Sequence, residues 1–211
     1  MVVRNPEEEK WNSRTHWAGA IFAAIGMMWF VYLLLTRQVS LAKVSCVVYA
    51  FSLVLMYVMS ALSHSFRDES NLNRFRALDQ ACIFLLITGT YTPFSLCFWN
   101  TMAANTLLIL MWFISISGFV AKVFFAHRVN RVSVIGYVAL GWMPILGLPF
   151  HESWPVQAML WVLAGGIVYS LGTLFLINDQ KGRWYHPAWH LSVMTASAIH
   201  FAAVTKFVML A

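Results

Sequence analysis

Two short stretches of this 211-residue chain space reactive side chains so that they can act together. His186-Pro187-Ala188-Trp189-His190 sets two imidazoles four residues apart. On a helix they stand one turn apart on a single face, as a bidentate metal clamp requires. Ser60-Ala61-Leu62-Ser63-His64 repeats the spacing with a hydroxyl and a third imidazole. Each pair alone is a weak signal, because chance matches to such spacing are common. Asp79 adds a carboxyl group at the start of an apolar stretch, while the other seven acids lie in polar tails and loops. Taken alone, Asp79 reads equally well as a helix N-terminal acid favoured by the helix dipole. Three neutral imidazoles are a ligand set of catalytic zinc and leave a fourth position for water. Asp79 would then complete the shell, or orient and deprotonate that water, with Ser60 as a hydrogen-bonding neighbour.

These groups meet only if the elements carrying them converge. Sixty per cent of the residues are hydrophobic, 10% are charged, and the mean hydropathy is +0.69. A water-soluble domain carries about a quarter charged residues, so the chain reads as an all-α polytopic membrane protein. About 20 apolar residues cross a bilayer core as a helix. Seven segments qualify: 15–36, 41–63, 77–99, 103–126, 132–150, 155–177 and 187–209. The short connections imply one membrane domain over 15–211, preceded by a polar tail over 1–14. Pro155 and Pro187 suit first helical turns. Pro93, Pro144 and Pro149 fall inside spans and imply kinks or early ends. Gly165, Gly166, Ser170 and Gly172 suit close helix packing in the sixth span.

Charge distribution orients the bundle. The tail and the second, fourth and sixth loops carry Arg4, Lys10, Arg14, Arg67, Arg74, Arg76, Lys122, Arg128, Arg131, Lys181 and Arg183, eleven of the 14 basic residues. Arg37, Lys43 and Lys206 fall on the other side. Cytoplasmic loops retain Lys and Arg, so the N-terminus is expected in the cytoplasm and the C-terminus outside. The end of span two and the starts of spans three and seven then share one depth. Ser60, His64, Asp79, His186 and His190 are thereby gathered at the cytoplasmic face.

Other features carry less. The net charge of +6 is spread singly over short loops, which argues against nucleic-acid binding and for retention of positive loops. Cys46, Cys82 and Cys97 lie in apolar stretches without CxxC spacing and read as packing residues. No signal-peptide pattern precedes the first span. His200, ten residues past His190, lies about 15 Å deeper along its helix and reads as a hydrogen-bonding or substrate-lining residue. His16 has no partner at a fixed spacing and reads as a structural hydrogen-bonding residue. His127 and His151 read as loop residues.

Several stretches together resemble the hemolysin III family, the bacterial branch of the progestin and adipoQ receptor family. They are Glu9-x-x-Asn12-x-x-Thr15-His16-x-x-Gly19, Ser60-x-x-x-His64 and Leu78-Asp79, then Ile87-Thr88-Gly89-Thr90-Tyr91-Thr92-Pro93-Phe94 and Gly141-Trp142. Gly165-Gly166-x-x-Tyr169-x-x-Gly172-x-x-Phe175 and the His186 to His190 stretch, with His200 beyond, complete the set. The resemblance implies a seven-helix bundle in a bacterial inner membrane, with zinc near the cytoplasmic face. In the adiponectin-receptor relatives, histidines matching His64, His186 and His190 hold zinc, beside an aspartate matching Asp79 and a serine matching Ser60. One departure is Gln80, where many bacterial relatives have histidine. Alkaline ceramidases in the wider superfamily use a similar constellation for amide hydrolysis.

Three functions follow as expectations. The first is zinc-dependent hydrolysis of a lipid amide or ester by an intramembrane site. The second is a non-catalytic, zinc-stabilised sensor or regulator of membrane state. The third, a pore-forming cytolysin, has little support in a chain whose spans are uniformly apolar. Membrane lipids are the expected partners in every case.

Overall fold

The computed structural model describes residues 6–99, 101–125, 134–150 and 154–211. His127, His151 and the basic residues Arg4, Arg128 and Arg131 lie outside them. The described residues form seven α-helices and no strand: α1 (Pro6–Thr36), α2 (Leu41–Ser63), α3 (Glu69–Phe98), α4 (Met102–Phe124), α5 (Val134–Trp142), α6 (Val156–Ile177) and α7 (Tyr185–Val204). Six are long and apolar enough to cross a membrane. The chain is therefore a multi-pass integral membrane protein.

Local chemistry starts several of these helices. Ser40, Asp68 and Thr101 cap α2, α3 and α4 by accepting backbone N–H hydrogen bonds from Lys43, Asn71 and Ala104. Each satisfies a donor that the first helical turn leaves unpaired. Pro187 lies in the first turn of α7, and Pro155 immediately precedes α6.

The fifth span departs from a uniform α-helix. Only Val134–Trp142 is α-helical, and Met143–Phe150 continues as a 3-10 helix. Pro144 and Pro149 each remove a backbone donor and clash with the preceding turn, so the α-helix ends before the first of them. Pro93, by contrast, is accommodated inside a continuous α3. The first and third helices begin earlier than their apolar runs, at Pro6 and Glu69. Residues 6–14 of the polar tail are thus helical and prolong α1.

Neighbouring helices pack in chain order from α1 to α4, α6 packs on α7, and α7 returns against α1, α2 and α3. Small residues permit the close crossings. A Cβ on Gly19 would stand 2.8 Å from the Tyr57 ring, and one on Gly165 would stand 2.3 Å from Nε2 of His200. Hydrogen bonds between helices add specificity where no water competes. Thr88 meets Ser115 at 2.6 Å, the Tyr137 hydroxyl donates to the Gln80 carbonyl at 2.8 Å, and Tyr169 meets Ser197 at 2.7 Å. Large apolar side chains such as Phe113, Ile109, Leu35 and Phe22 point outward, as a lipid-facing surface requires. Cys46 and Cys82 are buried packing residues, whereas Cys97 is exposed near the end of α3.

Candidate metal centre

The sequence places His64 at the end of one helix and the His186–His190 pair at the start of another. The α2 helix ends at Ser63, and His64 caps it in an α conformation with its N–H on the Leu62 carbonyl. The α7 helix opens at Tyr185, so His186 lies in the first turn and His190 one turn further in. Packing of α7 against α2 brings the three rings together. Nε2 of His186 lies 3.3 Å from Nε2 of His64 and 3.1 Å from Nε2 of His190. All three residues are buried, and their nitrogens can converge within 4.8 Å of one another. Three imidazole nitrogens pointing at one spot in a buried site form a set that can hold a metal ion.

The two remaining expected residues flank this cluster. Ser60 is buried one turn before His64, and its backbone carbonyl accepts from the Ser63 hydroxyl at 2.8 Å. Asp79 stands on α3, where its Oδ2 accepts a 3.3 Å hydrogen bond from Ser63. Asp79 is not one of the clustered metal-ligating groups among the described residues. It instead lines a cavity that His16 also lines.

That cavity has a volume of about 380 Å³, the size of a small-molecule site. Its α3 wall runs from Asp79 to Trp99, about 30 Å along a helix axis at 1.5 Å per residue. Ile83, Leu86, Val138, Leu163 and Val193 make it largely apolar, and Trp99 and Trp154 close the end away from Asp79. The shape and lining suit a single long alkyl chain.

Several side chains outside the expected set also reach this region. Glu9 Oε2 is 2.7 Å from Nδ1 of His64, and Asp179 Oδ2 is 3.5 Å from Nδ1 of His186. Asp179 did not stand out in the sequence because it lies in a polar loop, whereas Glu9 opened one of the stretches that carry the resemblance without a role assigned to it. One signal does precede Glu9: Glu9, Asn12, His16 and Gly19 fall at i, i+3, i+7 and i+10, a single stripe along a helix. Asn12, His16 and Gly19 of that stripe are buried.

His16 corrects its expected role. Both of its ring nitrogens are buried with no hydrogen-bond partner among the described residues, and its ring lies against His190 with centroids 3.8 Å apart. Packing of α1 on α7 presents the ring face rather than a polar edge. His200 does form a hydrogen bond, donating from Nε2 to the Val162 carbonyl at 3.0 Å, and it lines the cavity. The Gln80 side chain turns toward α4, where its Oε1 accepts from Lys122 at 2.9 Å.

Comparison with known proteins identifies the family. A family profile described as Haemolysin-III related matches residues 4–201. Hemolysin-3 of Bacillus cereus is 34% identical over 204 residues, covering 96% of this chain and 93% of that protein. The hemolysin-3 homolog of Bacillus subtilis (strain 168) is 31% identical over 199 residues, or 94% of this chain and 93% of its own. The human monocyte to macrophage differentiation factor is 23% identical over 175 residues, 78% of this chain and 71% of that protein. No solved structure matches significantly. The match spans helices from α1 to α7 and includes His64, His186 and His190, so the chain belongs to the haemolysin-III family of multi-pass membrane proteins.

Proposed function

We propose that this protein is a zinc-dependent intramembrane hydrolase that cleaves a lipid amide or ester at the cytoplasmic boundary of the bilayer. The observation that carries the proposal is the three-histidine cluster beside an alkyl-sized cavity that also contains Asp79. Nε2 of His186 lies 3.3 and 3.1 Å from those of His64 and His190, and all three ligand atoms lie within 4.8 Å of one another, close enough to share one ion. Zinc bound there supplies a Lewis acid that acidifies water and polarises a carbonyl. His64, His186 and His190 would hold it, and Asp79, on the cavity side, would orient a water and take its proton. The apolar cavity keeps the acyl chain among the helices, with the bond to be cleaved near Asp79. Hydrolysis adds water across that bond, and the proton passes to the departing amine or alcohol. Ser60 and Ser63 keep the α2 end of the site polar, with Ser63 donating to Asp79.

The test is zinc analysis of purified protein combined with fatty-acid release from a broad panel of lipid amides and esters. Stoichiometric zinc and release that His190→Ala and Asp79→Asn abolish are expected. Stoichiometric zinc without release from any lipid overturns the enzyme reading.

A second reading is favoured by the origin of the ligands. His64 and His186 lie 122 positions apart in the chain, so a metal between them ties α2 to α7 and stabilises the bundle as it binds. A zinc-stabilised sensor of membrane state needs only that tie. It requires a large fall in melting temperature on metal removal; equal melting of metal-free and metal-loaded protein rejects it.

A further inference from the structure

The cytoplasmic extension of α1 does more than lengthen the first helix. Three contacts fasten it to the rest of the bundle. Glu7 pairs with Arg183 at 2.9 Å, Ser13 meets Ser65 at 2.9 Å, and between them Glu9 Oε2 reaches Nδ1 of His64 at 2.7 Å. The outer Glu7–Arg183 pair is exposed and contributes little to docking, whereas the contact of Glu9 is shielded. The His64 side chain is 3% exposed and that of Glu9 is 22% exposed, so their contact is largely shielded from water.

A carboxylate can only accept, so this contact requires the proton of the His64 ring to sit on Nδ1. In the neutral ring the lone pair is then on Nε2, the nitrogen facing His186 and His190. A metal-binding histidine needs this tautomer, and its orientation is set by the group on the other nitrogen. The matching contact on His186, from Asp179, is longer at 3.5 Å. The Glu9 contact is the tighter of these two.

We propose that Glu9 is a positioning residue of the metal centre. It fixes the tautomer and direction of His64 and, through its charge, strengthens that ring as a ligand. The polar segment before the first span is on this view part of the site. The inference rests on the metal reading above, and the experiment separates the two.

Protein purified from cells grown with cobalt is compared as wild type, Glu9→Gln, Glu9→Ala and Glu7→Gln. The readouts are the visible absorption bands of bound cobalt and the metal affinity measured against a competing chelator. Glu9→Gln keeps an acceptor of nearly the same shape and removes the charge. It should shift the cobalt bands and weaken affinity about 10-fold, with Glu9→Ala approaching 100-fold, the usual range for loss of such a partner. Glu7→Gln breaks the neighbouring ion pair on the same helix and should match wild type in both readouts. Wild-type bands and affinity in the Glu9 variants overturn the proposal. So does an equal loss in Glu7→Gln, which would assign the effect to docking of the helix rather than to the carboxylate. A wild-type protein that binds neither cobalt nor zinc removes the metal reading itself.

Discussion

The imidazole of His16 lies across that of His190, with ring centroids 3.8 Å apart and planes tilted by 33°. Tyr57 meets the same His16 ring edge-on at 5.3 Å. His16 thus serves as a wall that holds His190 in line with His186, and its two buried nitrogens meet no hydrogen-bond partner among the described residues. Replacement by phenylalanine keeps the wall and removes two unsatisfied polar atoms. His16→Phe should therefore retain full zinc content and wild-type stability or better. His16→Ala leaves a void beside His190 and should cost roughly 2–3 kcal/mol. Zinc analysis together with unfolding in detergent checks both outcomes.

The cavity predicts a separation of metal binding from substrate binding. Val193 lines it three residues beyond His190 and is 5% exposed. Val193→Phe projects a ring into the space assigned to an alkyl chain. Zinc content should stay at wild-type level, while fatty-acid release and co-purifying lipid both fall. Lipid extraction and mass spectrometry beside the zinc measurement decide the matter.

Two adjacent glycines of α6 should respond oppositely to the same change. A Cβ on Gly165 would stand 2.3 Å from Nε2 of His200, and that ring is held in place by its bond to the Val162 carbonyl. Gly165→Ala should cost about 1–3 kcal/mol through overpacking. Nothing lies within 4 Å of a Cβ on Gly166. Gly166→Ala should be neutral or stabilise α6 by up to about 1 kcal/mol. Unfolding curves of the two variants in one detergent make the comparison.

Asp68, outside the membrane spans, supplies a small pH dependence of known sign. Hydrogen bonding from the Asn71 backbone N–H, at 3.0 Å to Oδ2, holds its carboxyl below the ordinary value. A depressed folded-state value means that the cap contributes above the unfolded value, near pH 4, and is lost as pH falls through the folded one. Asp68→Asn retains a capping oxygen without titrating. Melting temperatures of wild type and variant should run parallel above about pH 5 and converge in stronger acid.

The reach of the sequence differs from one element to the next. Apolar run length located the six long helices, because a bilayer leaves unbroken helices as nearly the sole way to satisfy backbone groups in lipid. The four-residue spacing of His186 and His190 was a local property of one helix and carried through. The fifth span changes from α- to 3-10 helix at Met143 because Pro144 acts on the backbone, which hydropathy does not register. Cys97 lay in an apolar stretch yet is exposed, since hydropathy alone does not distinguish a protein-facing from a lipid-facing side.

Composition, helix spacing and loop charge were thus enough to establish a membrane bundle and to bring Ser60, His64, Asp79, His186 and His190 to one depth. These are one-dimensional properties, summed along the chain or repeated with its helical period. Only the tertiary structure decided what meets within that layer. Glu9 reaches a histidine 55 positions away, His16 turns a face rather than an edge to His190, and Asp79 opens on a cavity. Each of these depends on how far one helix is rotated about its axis against another. That rotation is set by contacts such as Gly19 on Tyr57 and Gly165 on His200, made between residues that no local spacing connects.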